Sequence, residues 1–351
     1  MTGARAAVEG TIPEVQRRIS TPASTIGPWL PEGALGASLA QGLARVEVAL
    51  AEAVGSEHAF IREAAGHLMS AGGKRFRPML ALLAAQLGDP DDPDVIQSAV
   101  VCELTHLATL YHDDVMDEAS VRRGAPSANS RWTNSIAILT GDLLFARASN
   151  LLADLGPEAV RIQAQTFERL VTGQIRETVG AEPGRDPIEH YLDVLADKTG
   201  SLVATSARFG ARFAGLEESL VQELTAFGEE VGVAFQLSDD LLDIVSQGGA
   251  SGKLPGTDLR EGIATLPALF ALADDDPADA RLRELVARPV TDDAEHAEAL
   301  ELLRSSAALV RANDVLAQYA DRARARLDAV PAGDVRDALS ALCDYVVTRT
   351  S

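Results

Sequence analysis

Apolar residues recur at three- and four-residue intervals along almost the whole chain, beginning at Leu39 with LAQGLARVEVALAEAV. That period marks the buried stripe of a helix, and no stretch sustains the two-residue alternation of a half-buried strand. The pattern predicts helices over 37–54, 57–70, 75–87, 94–118, 130–154, 157–179, 187–213, 216–247, 263–273, 279–287, 292–328 and 333–348. Turn chemistry separates them at Gly72-Gly73, Gly88-Asp89-Pro90, Gly124-Ala125-Pro126, Gly180 to Pro187 and Gly248 to Gly256. Segments 94–112 and 135–148 are apolar nearly all round, which places them inside a large bundle. No internal repeat and no domain-scale linker interrupts the series. The expected fold is all-α: one large helical domain over 36–351, with a central cavity, behind a flexible leader over 1–35.

Composition narrows this further. Apolar residues make up 46% of the chain and aromatics only 4%, so the core is built from Ala, Leu and Val, which suits helices better than sheets. The net charge of −21 leaves no basic excess to displace counterions, which argues against a nucleic-acid partner. An anionic small substrate would need locally concentrated cations. Cys102 and Cys343 give no disulfide framework and fit a reducing cytoplasm. Residues 1–35 hold no apolar core of signal-peptide length, and no later run approaches the ~20 apolar residues of a membrane span. A cytoplasmic protein without an integral membrane segment is therefore expected.

Of the 31 basic residues only Lys74, Lys198 and Lys253 are lysines. Such a bias reflects drift to arginine wherever arginine is tolerated, so the three survivors mark places where a compact ammonium could be required. The plain alternative, chance survival on the surface, is weighed by what stands beside each of them.

Two acidic clusters carry the candidate chemistry. Tyr111-His112-Asp113-Asp114-Val115-Met116-Asp117 ends an apolar helix, and Asp113 and Asp117 project from nearly the same face one turn apart. Like charges so placed repel on a bare helix, but the spacing makes sense around divalent cations, and hard oxygen donors select magnesium-like ions. Ser238-Asp239-Asp240-Leu241-Leu242-Asp243 repeats the arrangement after a second apolar run. Gly88-Asp89-Pro90-Asp91-Asp92-Pro93-Asp94 is just as acidic, but its prolines break helical spacing; it reads, like Asp274-Asp275-Asp276, as an exposed loop.

The cations lie near these clusters. Gly72-Gly73-Lys74-Arg75-Phe76-Arg77-Pro78 is a glycine turn leading into a helix, with three cations in four residues, a setting that favours a phosphate group. It is not a P-loop, because Leu68 stands at the first Walker glycine and Arg75 replaces the Ser/Thr. Arg122-Arg123-Gly124-Ala125-Pro126 follows the first aspartate cluster, and His106 lies two turns below Asp113 on roughly the same face. A lone helical histidine is more often a satisfied core group than a ligand. Lys198-Thr199 falls inside a helical run, and Lys253 follows the second cluster by a glycine-rich loop.

Together GGKRFRP (72–78), HDDVMDEASVRRGAP (112–126), GQIRE (173–177), KTGSL (198–202), FQLSDDLLD (235–243) and GKLPGTDLREGIATLP (252–267) resemble, in order, the trans-isoprenyl (polyprenyl) diphosphate synthase family. The resemblance implies an isoprenoid-synthase helical bundle, a homodimer, and a Mg2+-dependent prenyltransferase acting on isopentenyl diphosphate and an allylic diphosphate. It implies that Lys74, Arg77, His106 and Arg123 bind the isopentenyl diphosphate head group. Asp113, Asp117, Asp239 and Asp243 would ligate magnesium, and Arg122, Lys198 and Lys253 would complete the allylic site. Thr199 and Gln236 would face the developing allylic cation. Ile263 departs from the lysine many members carry after DLREG, which removes a supplementary diphosphate contact.

In this family the positions four and five before the first cluster form the floor on which short products stop. Here they are Thr109 and Ala108, about 6 and 7.5 Å down the helix axis from Asp113. Both are small, so the expected product is long, roughly C35–C50, of the kind used for a quinone side chain. A short-chain farnesyl or geranylgeranyl synthase, a non-catalytic partner subunit and a class I terpene cyclase stand as alternatives. A partner subunit usually lacks one aspartate cluster, and a cyclase has no use for the isopentenyl site.

Overall fold

The computed structural model describes residues 31–246 and 255–349. These fold into α1 (Gly33–Ala53), α2 (Ala59–Ser70), α3 (Phe76–Ala85), α4 (Pro93–Met116), α5 (Ala128–Arg131), α6 (Asn134–Leu155), α7 (Pro157–Val179), α8 (Pro187–Leu195) and α9 (Ser201–Phe213). There follow α10 (Glu218–Val245), α11 (Thr257–Glu261), α12 (Leu266–Ala273), α13 (Ala280–Val286), α14 (Asp293–Ser305), α15 (Ala307–Arg326) and α16 (Asp334–Thr348). The fold is all-α apart from one hairpin between α4 and α5, in which β1 (Val121–Arg122) pairs antiparallel with β2 (Ala125–Pro126).

α4 is the central helix, and α1, α3, α6 and α9 pack on it; α10 packs on α9, and α15 on α10. Asp92 caps α4 through the Asp94 amide at 2.8 Å, and Pro93 supplies its first turn. From Val95 to Tyr111 the helix is buried at most positions, as the all-round apolar segment 94–112 predicts. The Tyr111 hydroxyl donates to Ala64 O at 2.6 Å and accepts from Leu68 N at 3.2 Å, which pins α2 across α4. α3 and α9 approach backbone to backbone at Gly210. A Cβ there would stand 1.9 Å from Ala81 O, so even alanine would force the helices apart. One hydrophobic cluster runs from Leu35 in α1 to Val346 in α16.

Several boundaries differ from expectation. α1 begins at Gly33, inside the stretch assigned to the leader, while residues 1–30 lie outside the described residues. The predicted helix 292–328 is two helices, because the Ser306 hydroxyl accepts from Leu309 N at 3.3 Å and starts α15 afresh. The run 187–213 is continuous but widens into one π turn over Ala196–Gly200. α6, 22 residues long, contains an 18-residue window of mean hydropathy 1.4, which passes by length and composition alone for a membrane span. In the fold it is the helix most extensively packed against α4, and it carries Asp142, Arg147 and Asp154.

Candidate active site

The first aspartate cluster ends α4. Asp114 is wholly buried and accepts from Arg122 Nε at 2.6 Å; the same guanidinium reaches the half-exposed Asp117 at 3.5 Å. Asp113 remains unpaired with Arg122. Burial pushes its carboxyl up to about 6, Asp117 and Glu177 add to the rise, and Lys198 and Arg122 oppose it. Lys198 sits in the π turn and bonds Glu177 of α7. The same Glu177 acts on Asp240 of α10, so it faces both clusters. π turns inside α-helices are frequent at functional sites, and this one presents both Lys198 and Thr199.

On α10 the carboxylates divide their work. Asp239 is exposed and pairs with Arg349 at 2.9 Å. Asp240 turns inward, accepting from Gln236 Nε2 at 2.9 Å and from the Tyr191 hydroxyl. Burial lifts its carboxyl to about 6 despite those two donors. The Thr199 hydroxyl donates to Gln236 Oε1 at 3.2 Å, so Tyr191, Asp240, Gln236 and Thr199 form one chain of hydrogen bonds. Asp243 accepts from Asp258 N at 3.2 Å and so ties the second cluster to α11. Lys253 lies outside the described residues.

The basic residues gather beneath the glycine turn. Arg123 and Gly124 both have positive φ, 54° and 74°, as the two central residues of a tight hairpin require. This turn sends Arg123 across to Leu68 O at 3.1 Å and to Gly72 O. Gly73, at φ 147°, leaves room for two guanidinium groups: a Cβ there would lie 2.8 Å from Arg123 Nη1 and 2.9 Å from Arg75 Nη1. Burial, followed by Arg77, Arg123, Arg75 and Arg122, holds the His106 imidazole well below its ordinary value. Histidine is therefore a neutral member of a cationic pocket. Arg77 Nε is buried without a hydrogen-bond partner. An uncompensated donor of this kind is costly, and an anion in the pocket would complete it.

Arg75, the one cation of Lys74, Arg75 and Arg77 that the resemblance leaves out of the isopentenyl site, has a structural part. It is buried, bonded to Glu47 of α1 and to Glu103 of α4 at 3.2 Å, and so holds helices together. Arg349, near the end of the chain, is the residue that sequence reasoning missed. It donates to Phe235 O and Ser238 Oγ, both at 2.6 Å, and its guanidinium lies 4.2 Å from the Phe235 ring. Lys74 Nζ lies 5.6 Å from the same ring, and Phe76 stacks on it with centroids 4.8 Å apart. Of the two cations on this ring, Arg349 has Asp239 as its counter-ion. Ala108 is completely buried, and Thr109 turns its hydroxyl onto His106 O at 2.8 Å. Neither presents a bulky side chain below Asp113.

Among the described residues no three carboxylate, imidazole or thiol groups converge on a ready-made metal cage. The donor set still suits magnesium. Mg2+ is commonly held by one or two carboxylates with substrate phosphates and water, and Asp113, Asp117 and Asp239 offer oxygen donors, Asp117 and Asp239 from exposed positions.

The sequence pattern of the polyprenyl synthetase family matches residues 58–303. The chain is 52% identical over 331 residues to the nonaprenyl diphosphate synthase of Mycobacterium tuberculosis, covering 94% of this chain and 99% of that protein. A geranylgeranyl pyrophosphate synthase from Corynebacterium glutamicum, solved with calcium and isoprenyl diphosphate, superposes with a TM-score of 0.83 at 46% identity, covering 92% of this chain and 99% of that one. A decaprenyl diphosphate synthase from Rhodobacter capsulatus gives 0.81 at 35%, covering 90% and 98%.

Proposed function

The chain belongs to the polyprenyl synthetase family and is a prenyltransferase, and we propose that it condenses isopentenyl diphosphate with an allylic diphosphate, using Mg2+, to a long product of roughly C35–C50. The observation that supports the length is the pair Ala108 and Thr109, small residues about one turn below Asp113 that put no bulky side chain there. The presence of both aspartate clusters and of the Arg77–His106–Arg123 pocket disfavours a partner subunit and a terpene cyclase.

Lys74, Arg77 and Arg123, with neutral His106 among them, hold the isopentenyl diphosphate head group. Asp113, Asp117, Asp239 and Asp243 would hold the magnesium ions, which neutralise charge on the leaving diphosphate. Arg122, held in place by Asp114, and Lys198 complement the same charge as it develops, from positions fixed before reaction. The allylic carbon–oxygen bond breaks to give a delocalised cation and free diphosphate. The oxygens of Thr199 and Gln236 face that cation. The isopentenyl double bond then attacks, and its proton leaves to the departed diphosphate. Apolar helices exclude water from the cation.

The exposed apolar positions of α6 and α7, Ile138, Leu139, Val160, Val171 and Ile175, support a homodimer through this face. A cytoplasmic location and a quinone side chain as the destination fit the same reading. Purified protein incubated with Mg2+, labelled isopentenyl diphosphate and farnesyl diphosphate should give products of roughly C35–C50. A longest product of C20 or less would establish the short-chain alternative.

A further inference from the structure

The Tyr191 hydroxyl of α8 donates to Asp240 Oδ2, and the Leu266 amide, in the first turn of α12, lies against the same hydroxyl. Burial, then the charge of Asp240, holds the phenol well above its ordinary value, so the proton stays on the hydroxyl. The other carboxylate oxygen, Asp240 Oδ1, takes Gln236 Nε2 at 2.9 Å, which leaves Gln236 Oε1 to accept from Thr199 at 3.2 Å. An amide has one donor end and one acceptor end, and a hydroxyl satisfies either of them. Thr199 alone would therefore serve both orientations of the Gln236 amide. The Asp240 carboxylate, an acceptor only, admits one.

The backbone is shaped to make these contacts. Gln236 and Asp240 stand one turn apart on α10, while Tyr191 and Thr199 stand eight residues apart on the run that continues from α8. In an unbroken α-helix those two side chains would point about 80° apart; the extra residue of the π turn brings them to about 20°. The π turn over Ala196–Gly200 thus lets one helical run grip both ends of the Gln236–Asp240 pair.

We propose that Tyr191 is a positioning residue: it holds Asp240, and through Asp240 it turns the Gln236 carbonyl oxygen, not its NH2 group, toward the reacting allylic carbon. The proposal rests on the reading that Gln236 faces the allylic cation. A reversed amide would present partial positive charge to a carbon that is itself becoming positive. The orientation therefore counts in the transition state, where the charge has developed, far more than in the bound substrate. Phenylalanine at 191 keeps the ring that packs on the main core, but it leaves Asp240 Oδ2 without the Tyr191 donor. The carboxylate is then free to turn, and Gln236 populates both orientations.

Tyr191→Phe should lower kcat roughly ten- to a hundredfold, with KM for both substrates within about threefold of wild type. In a Gln236→Ala background no amide remains to orient, so adding Tyr191→Phe should change kcat by less than about twofold. An equal loss in both backgrounds overturns the proposal and makes Tyr191 a brace of α8 on α10. Binding of two unreactive ligands in the presence of Mg2+ gives a second reading. An ammonium analogue of the allylic cation, added with diphosphate, should bind Tyr191→Phe roughly tenfold or more weakly than wild type, while an uncharged-tail allylic thiolodiphosphate binds within about threefold. Equal weakening of both ligands, or of neither, overturns the proposal. Should Gln236→Ala alone leave both kcat and the ammonium affinity unchanged, Gln236 does not face the cation, and that part of the proposed function falls together with the role of Tyr191.

Discussion

Asp114→Asn isolates the role of a buried carboxylate that is turned onto Arg122. Asp114 has no exposed surface, and its Oδ1 takes the Arg122 Nε hydrogen bond at 2.6 Å. Asparagine keeps the shape and an acceptor oxygen but removes the charge. A hydrogen bond to a charged group contributes about 1.5–3 kcal/mol, and complete loss of a buried partner costs 3–5, so the isosteric change should cost about 2 kcal/mol. An unfolding entropy of about 2.1 cal/mol/K per residue gives ~0.7 kcal/mol/K over the chain, so Tm should fall by about 3 °C. Arg122 would retain Asp117 at 3.5 Å, a partner more than half exposed, and would lose its fixed orientation. If Arg122 serves the allylic diphosphate, the same loss should raise KM for that substrate roughly tenfold or more, with KM for isopentenyl diphosphate changed less than threefold. Steady-state kinetics with each substrate varied in turn, beside a thermal melt, gives both readings. An unchanged allylic KM alongside the fall in Tm would show that the pair only braces the α4 end.

Asp113→Ala and Asp239→Ala should each lower turnover by roughly three orders of magnitude or more with the helical circular-dichroism signal retained; near-normal rates in both at saturating Mg2+ would remove them from the metal site. Lys74→Arg should raise KM for isopentenyl diphosphate more than KM for the allylic substrate, because a planar fork cannot replace a compact ammonium beside Phe235 and Arg349; wild-type values for both would make the lysine incidental. The Asp113 carboxyl is raised to about 6, so it gains a proton as pH falls through 6, which would remove it from the proposed metal site. Mn2+ binding to the substrate-free protein, followed by paramagnetic resonance, should weaken about fourfold between pH 7.5 and 5.5; pH-independent binding would exclude Asp113. Ala108→Tyr should shorten the product to roughly C15–C20 with condensation preserved, and unchanged length would place the floor elsewhere.

The helices were legible because a 3.6-residue stripe survives any arrangement of neighbours. The aspartate clusters were legible because their spacing is itself helical. The hairpin at 121–126 escaped because two-residue strands are shorter than any period, although the adjacent Arg123-Gly124 is the kind of pair a two-residue loop uses. The break at Ser306 escaped for a related reason. The serine caps the new helix without a glycine or proline, and the leucines at 302, 303 and 309 carry the stripe across it. Arg349 could not be found by spacing, since its partners Phe235, Ser238 and Asp239 are more than a hundred residues away and only the packing of α16 on α10 brings them together.

Arg75 and Arg77 show what sequence cannot assign and structure can. They are two residues apart in one motif, with the same charge and Phe76 between them. Arg75, at φ 48°, starts α3 and turns its guanidinium to Glu47 and Glu103; its donors are satisfied before any substrate arrives. Arg77, inside the helix, keeps a buried Nε without a partner and faces the field of Arg123. Burying an unpaired cationic donor works against folding, so the pocket is stable only because Glu103 and the surrounding structure over-determine it. The same imbalance is what a diphosphate would relieve. Across an acidic chain of net charge −21, cations paired to glutamate and aspartate hold helices together, and the buried, unpaired Nε of Arg77 is the donor that the proposed diphosphate would complete.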